Sequence, residues 1–120
     1  MSVRRVLIVE DERLARLSLR DYLWESGYDV DAADSGAAAL DMQQERGFDT
    51  FIVDIRMPDM DGVETILALH KLAPTARYIV YTGSPHFRLP PELLDLGLSE
   101  RDVVRKPVLD MKVFIDLIES

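Results

Sequence analysis

Three stretches of the chain, Val6-Leu7-Ile8-Val9, Phe51-Ile52-Val53 and Tyr78-Ile79-Val80-Tyr81, are apolar without alternation, and each is soon followed by polar residues. A half-exposed strand alternates apolar and polar side chains, whereas an unbroken apolar run of this length suits a strand covered on both faces. Strands of that kind belong to parallel sheets with helices on either side. The sequence between the runs has the helical period. Ala15, Leu19, Tyr22 and Leu23 fall at i, i+4, i+7 and i+8, and Gly27 closes this first helix. Ser35 caps a second, running through Ala37 and Leu40 to about Arg46, with Gly47 as its stop. Val63, Ile66 and Leu67 mark one face of a third, which Pro74 ends.

Two weaker strands complete the set. Tyr28-Asp29-Val30-Asp31-Ala32 alternates strictly, which predicts an edge strand with its acidic face toward water. Val103-Val104 predicts a brief last strand, followed by a helix with Met111, Phe114, Ile115 and Ile118 at i, i+3, i+4 and i+7. Between Ser84 and Leu98 the prolines at 85, 90 and 91 leave room only for a short helix from Pro91 to Leu96, carried on a long loop and ended by Gly97. The element order is (βα)5. Short connections and right-handed crossovers predict a doubly wound α/β fold with a five-stranded parallel sheet in the order 2-1-3-4-5. That order puts the alternating strand at an edge and strands one and three side by side at the switch point, where such sheets bind ligands.

At 120 residues and 48% hydrophobic content, the chain is expected to form one domain, 1–120, with a real core. The net charge of −8 argues against direct binding to nucleic acid. The absence of cysteine removes disulfides and thiolate metal sites and favours a cytoplasmic location. Arg4 and Arg5 lead into only four apolar residues, so neither a signal peptide nor a membrane span is expected. Trp24 and Phe114 read as packing residues, and His70 and His86 as surface residues without metal-ligand spacing.

The chemistry lies where the strands end. Val9 runs into Glu10-Asp11-Glu12, and Val53 delivers Asp54 just before the turn residues Met57-Pro58-Asp59-Met60-Asp61-Gly62. In the order above, Glu10, Asp11 and Asp54 share one crevice. Three carboxylates there repel one another, which raises their pKa values or calls for a cation. Magnesium fits, because it takes a few carboxylates and completes its shell with water and phosphate oxygens. Thr82 and Lys106, at the ends of strands four and five, add a hydroxyl and a positive charge on the same rim. Singly, each residue has an ordinary explanation: a turn carboxylate, a turn threonine, a solvated lysine, an acidic cluster at a helix start. Jointly they suit a phosphoryl group.

Val6 to Glu12, Asp54 to Gly62, Thr82 and Lys106-Pro107, taken together, resemble the receiver domain of two-component response regulators, and the resemblance covers nearly the whole chain. It implies a flavodoxin-like fold and a phosphoacceptor switch rather than a turnover enzyme. Asp54 is then the phosphoacceptor and Asp11 a direct Mg²⁺ ligand, with Glu10 acting on the metal or its water and the main-chain carbonyl of Arg56 completing the shell. Lys106 pairs with the phosphoryl oxygens, and Thr82 turns to hydrogen-bond the attached group. Pro107 is expected to follow a cis peptide bond. The implied partners are a sensor histidine kinase or phosphotransfer protein and an effector domain or partner protein, with room for a phosphorylation-dependent dimer. No effector sequence follows Ser120 here, which is expected of a stand-alone receiver or of one part of a longer regulator or hybrid kinase.

Two departures from the family pattern bear on output. Val103 stands three residues before Lys106, where receivers often carry Tyr or Phe, and the segment after strand four is proline-rich. The alternatives are a degenerate receiver acting as a binding module and a small aspartyl phosphatase of haloacid dehalogenase type. The phosphatase wants a second Asp two residues after the nucleophile, where Arg56 stands. Asp59-Met60-Asp61-Gly62 fails as a calcium loop, since its first and twelfth positions would be Met57 and Ala68.

Overall fold

The structure is a computed structural model and describes residues 4–120. Met1 to Val3, the start of the region expected to lack a leader, lie outside the described residues. Five strands, β1 (Arg5–Val9), β2 (Asp29–Ala33), β3 (Thr50–Asp54), β4 (Arg77–Thr82) and β5 (Val103–Arg105), alternate with α1 (Arg13–Glu25), α2 (Gly36–Arg46), α3 (Gly62–Leu72), α4 (Pro91–Asp95) and α5 (Lys112–Glu119). The sheet is wholly parallel in the expected order β2-β1-β3-β4-β5. No helix among the described residues is long and apolar enough to cross a membrane.

The unbroken apolar runs divide between two cores because successive side chains leave a strand on opposite faces. Leu7, Val9, Phe51, Val53, Tyr78 and Val80 pack under α2, α3 and α4. Val6, Ile8, Ile52, Ile79, Tyr81 and Val104 pack under α1 and α5. Phe51 and Tyr78 stack with ring centroids 5.2 Å apart, and Phe114 of α5 meets Tyr81 edge-on at 5.0 Å. Truncating a fully buried ring such as Phe51 or Phe114 to alanine removes about 3–5 kcal/mol.

Helix boundaries follow their caps. Ser35 Oγ accepts from Ala38 N at 3.1 Å, Asp61 from Glu64 N at 2.8 Å, and Glu12 from Leu14 N and Ala15 N. Gly47 stops α2 with φ at +76°, a conformation that other residues rarely adopt. The proline-rich segment behaves as its sequence predicts: α4 has five residues and follows an irregular stretch from Gly83 to Pro90.

Two expectations need correcting. The edge strand is shifted by one residue, and its acidic face is not simply solvated. Asp29 and Asp31 are half-buried and pair with Arg5 and Arg46, contributed by β1 and the end of α2. Trp24 is 65% exposed and packs into neither core, whereas its neighbour Leu23 is fully buried. One residue turns a helix by about 100°, which carries Trp24 off the buried stripe.

Candidate functional site

Because all five strands run the same way, their carboxyl ends share one edge. β1 delivers Glu10 and Asp11 there, β3 delivers Asp54, β4 Thr82 and β5 Lys106. Glu10 is 1% exposed, Asp54 is 6% exposed, and Asp11 is open to solvent. One carboxylate oxygen from each of the three lies within 4.8 Å of the other two. Lys106 Nζ is 2.5 Å from Glu10 Oε1 and 3.9 Å from Asp54 Oδ2, and it also lies 4.7 Å from the centre of the Tyr81 ring. The Lys106-Pro107 peptide is cis, as the family pattern implies.

The electrostatics follow from burial. Desolvation pushes the Glu10 carboxyl above its ordinary pKa, and the Asp54 carboxyl beside it pushes the same way, against the opposing pull of Lys106. Burial lowers the Lys106 pKa, but the hydrogen bond to Glu10 and the charge of Asp54 outweigh it and leave the ammonium more firmly protonated than usual. One ammonium does not balance three carboxylates, so the crevice favours a further cation.

The turn after Asp54 is held from several sides. Arg56 N donates to Asp54 Oδ1 at 3.4 Å, keeping its backbone beside the carboxylates while its side chain is exposed. Gly62 N bonds Ile55 O at 2.9 Å. A Cβ on Gly62 would lie 2.2 Å from the Asp54 carbonyl, so only glycine fits. Asp59 reaches across to α2, where its carboxylate accepts from Gly36 N at 3.4 Å and Ala37 N at 3.1 Å. Sequence reasoning missed this role, since the amides Asp59 caps lie 22 and 23 positions away and nothing local announces them.

Thr82 is fully buried, with its hydroxyl accepting from Ser84 N at 3.0 Å and its carbonyl accepting from Lys106 N at 2.8 Å. The hydroxyl is therefore tied to the loop after β4, and among the described residues no hydrogen bond joins it to Asp54.

The donor set suits Mg²⁺. Octahedral oxygens at about 2.0–2.1 Å from that ion stand roughly 3–4 Å from one another. The Glu10, Asp11 and Asp54 oxygens already converge to nearly that span, and exposed Asp11 leaves a side open for water. His and Cys ligands that would favour zinc are absent from the cluster.

Comparison with known proteins agrees with the geometry. The sequence matches the family described as response regulator receiver domain over residues 6–119. It is 32% identical to chemotaxis protein CheY of Thermotoga maritima over 111 residues, covering 92% of this chain and 91% of that protein. It is 39% identical to response regulator MprA of Mycobacterium bovis over 83 residues, covering 69% of this chain and 36% of that protein. Among solved structures, response regulator TrrA of Thermotoga maritima, in complex with Mg²⁺-BeF, superposes with a TM-score of 0.82 at 29% identity over 98% of this chain and 97% of that one. FixJ-N superposes with a TM-score of 0.81 at 33% identity over 99% and 93%. With the sheet order, the carboxylate cluster and the family match over nearly its whole length in agreement, the chain belongs to the response regulator receiver domains.

Proposed function

We propose that this receiver is a phosphoacceptor switch in which Asp54 accepts a phosphoryl group from a phosphohistidine on a partner kinase or phosphotransfer protein, or from a small phosphodonor. The observation that carries the reading is the convergence of Glu10, Asp11 and Asp54 within 4.8 Å, with Lys106 Nζ 3.9 Å from Asp54. An Asp54 carboxylate oxygen attacks phosphorus, and the bond from phosphorus to the donor's nitrogen or oxygen breaks. The electron pair leaves with the donor group, which takes up a proton from solvent. Hydrolysis of the acyl phosphate by water restores Asp54.

This loose, in-line transfer is helped mainly by positioning and charge neutralisation. Glu10, Asp11, Asp54 and the Arg56 carbonyl would hold Mg²⁺, which when bound neutralises charge on the phosphoryl oxygens. Lys106, whose Nζ is 3.9 Å from Asp54 Oδ2, contributes a fixed ammonium. Thr82 releases Ser84 N and donates its hydroxyl to the attached group. Leu14, in the first turn of α1 just after the acidic residues, is 72% exposed, and Leu109, two residues past Pro107, is 100% exposed. Both lie near this edge, where a partner presenting a phosphohistidine gains apolar contact.

Intact mass after incubation with acetyl phosphate and Mg²⁺ tests the reading. One phosphoryl group is expected on the wild type and none on Asp54→Asn. An equal gain by Asp54→Asn, or by the wild type in EDTA, overturns the assignment, and no gain by the wild type leaves the binding-module reading.

A further inference from the structure

Val103 provides no aromatic ring to relay a change at Thr82, yet another side chain on the same strand is placed to do so. Arg105 pairs in register with Thr82 across the β4–β5 ladder, so the site hydroxyl and the guanidinium share one rung. From there Arg105 reaches back over the loop that follows β4. Its Nη1 donates to Ser84 O at 3.1 Å, and its Nη2 donates to Phe87 O at 3.0 Å and to Glu100 Oε1 at 2.6 Å. Ser84 is also the residue whose amide occupies the Thr82 hydroxyl at 3.0 Å.

The backbone of the loop has few other hydrogen bonds to hold it. Within residues 83–89 the backbone makes one hydrogen bond to itself, from Phe87 N to Ser84 O at a long 3.4 Å. Pro85 cannot donate at all. A planar guanidinium satisfies two carbonyls and a carboxylate at once from a fixed fork, whereas a glutamine brings only two donors and a lysine carries its three on a single nitrogen. Phe87 packs against the core under α3 and α4, so fixing its carbonyl also fixes a ring that abuts the α4 side of the sheet.

We infer that Arg105 is a positioning residue that latches the β4–α4 loop in the arrangement in which Ser84 N holds the Thr82 hydroxyl, and so opposes the turn of Thr82 toward a phosphoryl group on Asp54. The inference rests on the phosphoacceptor reading above. It assigns Arg105 the coupling between the site and the β4–α4 loop. Because coupling is reciprocal, loosening the loop must make phosphoryl-site occupancy easier, just as occupancy must loosen the loop.

The test uses beryllofluoride with Mg²⁺ as the phosphoryl mimic on the wild type, Arg105→Gln and Arg105→Lys. Circular dichroism and Mg²⁺ binding establish that each variant is folded with its carboxylate cluster intact. Hydrogen exchange in residues 84–98 is expected to be faster in Arg105→Gln before ligand is added, and to change less on adding it than in the wild type. Beryllofluoride should bind Arg105→Gln on the order of fivefold more tightly, with Arg105→Lys in between. If the arginine merely props the loop, Arg105→Gln would speed exchange equally with and without ligand and leave the affinity unmoved. Unchanged or weaker affinity in Arg105→Gln overturns the latch while leaving the phosphoacceptor reading intact. Failure of the wild type itself to bind beryllofluoride overturns both.

Discussion

Lys106 Nζ lies 2.5 Å from Glu10 Oε1, across 96 positions of sequence, and Asp54 is its more distant partner at 3.9 Å. Glu10 is nearly without solvent while Lys106 keeps 26% of its side-chain exposure. The pair is therefore half-screened, and its two ends differ in what removal costs. Lys106→Met leaves a buried carboxylate facing two others with no cation, which is expected to cost about 2 kcal/mol after allowing for solvent access to the ammonium. In a Glu10→Gln background the same substitution should cost less than half as much. Urea midpoints of the four proteins close the cycle. Equal costs in both backgrounds would mean that Glu10 and Lys106 are not energetically coupled.

Carboxylate crowding also predicts the response to metal. Asp54→Asn removes one of the charges that push the Glu10 pKa up, so in EDTA this variant should melt a few degrees above the wild type. Mg²⁺ that binds only the folded chain should raise the wild-type melting temperature, by roughly 2.7 kcal/mol of stability at a hundredfold excess over Kd, and should raise that of Asp54→Asn less. Calorimetric scans with and without Mg²⁺ decide it. If neither the substitution nor the metal moves the transition, the three carboxylates do not act as one site.

Asp59 gives a pH-dependent prediction. Amide donation from Ala37, Met60 and Gly36 holds its carboxyl below the ordinary value of 3.8. A folded pKa below the unfolded one stabilises the protein above about pH 4, and the contribution disappears as pH falls through the lower, folded value. Asp59→Asn should therefore be less stable than the wild type at neutral pH, with the difference shrinking toward zero in strongly acidic buffer. Thermal melts of both proteins across that range measure it. A gap that stays constant with pH would assign the cost to geometry rather than charge.

These residues also mark where the sequence was readable. The central strands were legible because burial on both faces writes itself as an unbroken apolar run, and Asp54, Asp11 and Glu10 were legible because each follows such a run. Ser35, Gly47 and Gly97 marked their helix ends because capping is local in sequence. Trp24 was misread because its neighbours Tyr22 and Leu23 carry the helical period and an aromatic beside them resembles core. The arginine partners of the acidic face of β2 were not legible because they come from β1 and α2. Asp59 and Arg105 were invisible as clamps for one shared reason: each satisfies main-chain groups that only the folded topology brings near.

Gly62 gives the sharpest steric prediction. It opens α3 directly after the Asp61 cap, and its φ lies outside the left-handed region, so space rather than backbone freedom demands glycine. An alanine Cβ there would stand 2.2 Å from Asp54 O and 2.7 Å from Ile55 Cα. Both are backbone atoms of the segment that carries the proposed phosphoacceptor, and neither can move without moving the end of β3. Gly62→Ala is expected to cost about 3 kcal/mol, at the upper end for overpacking, and to slow phosphorylation by acetyl phosphate even where the protein remains folded. Gly83 supplies the contrast, since its added Cβ would approach only Lys106 Cδ, at 3.8 Å. Gly83→Ala should stay within about 0.5 kcal/mol of the wild type. Urea midpoints and phosphorylation rates of the two variants compare them directly. A Gly62→Ala protein as stable and as readily phosphorylated as the wild type would show that the turn after β3 has slack that this packing denies.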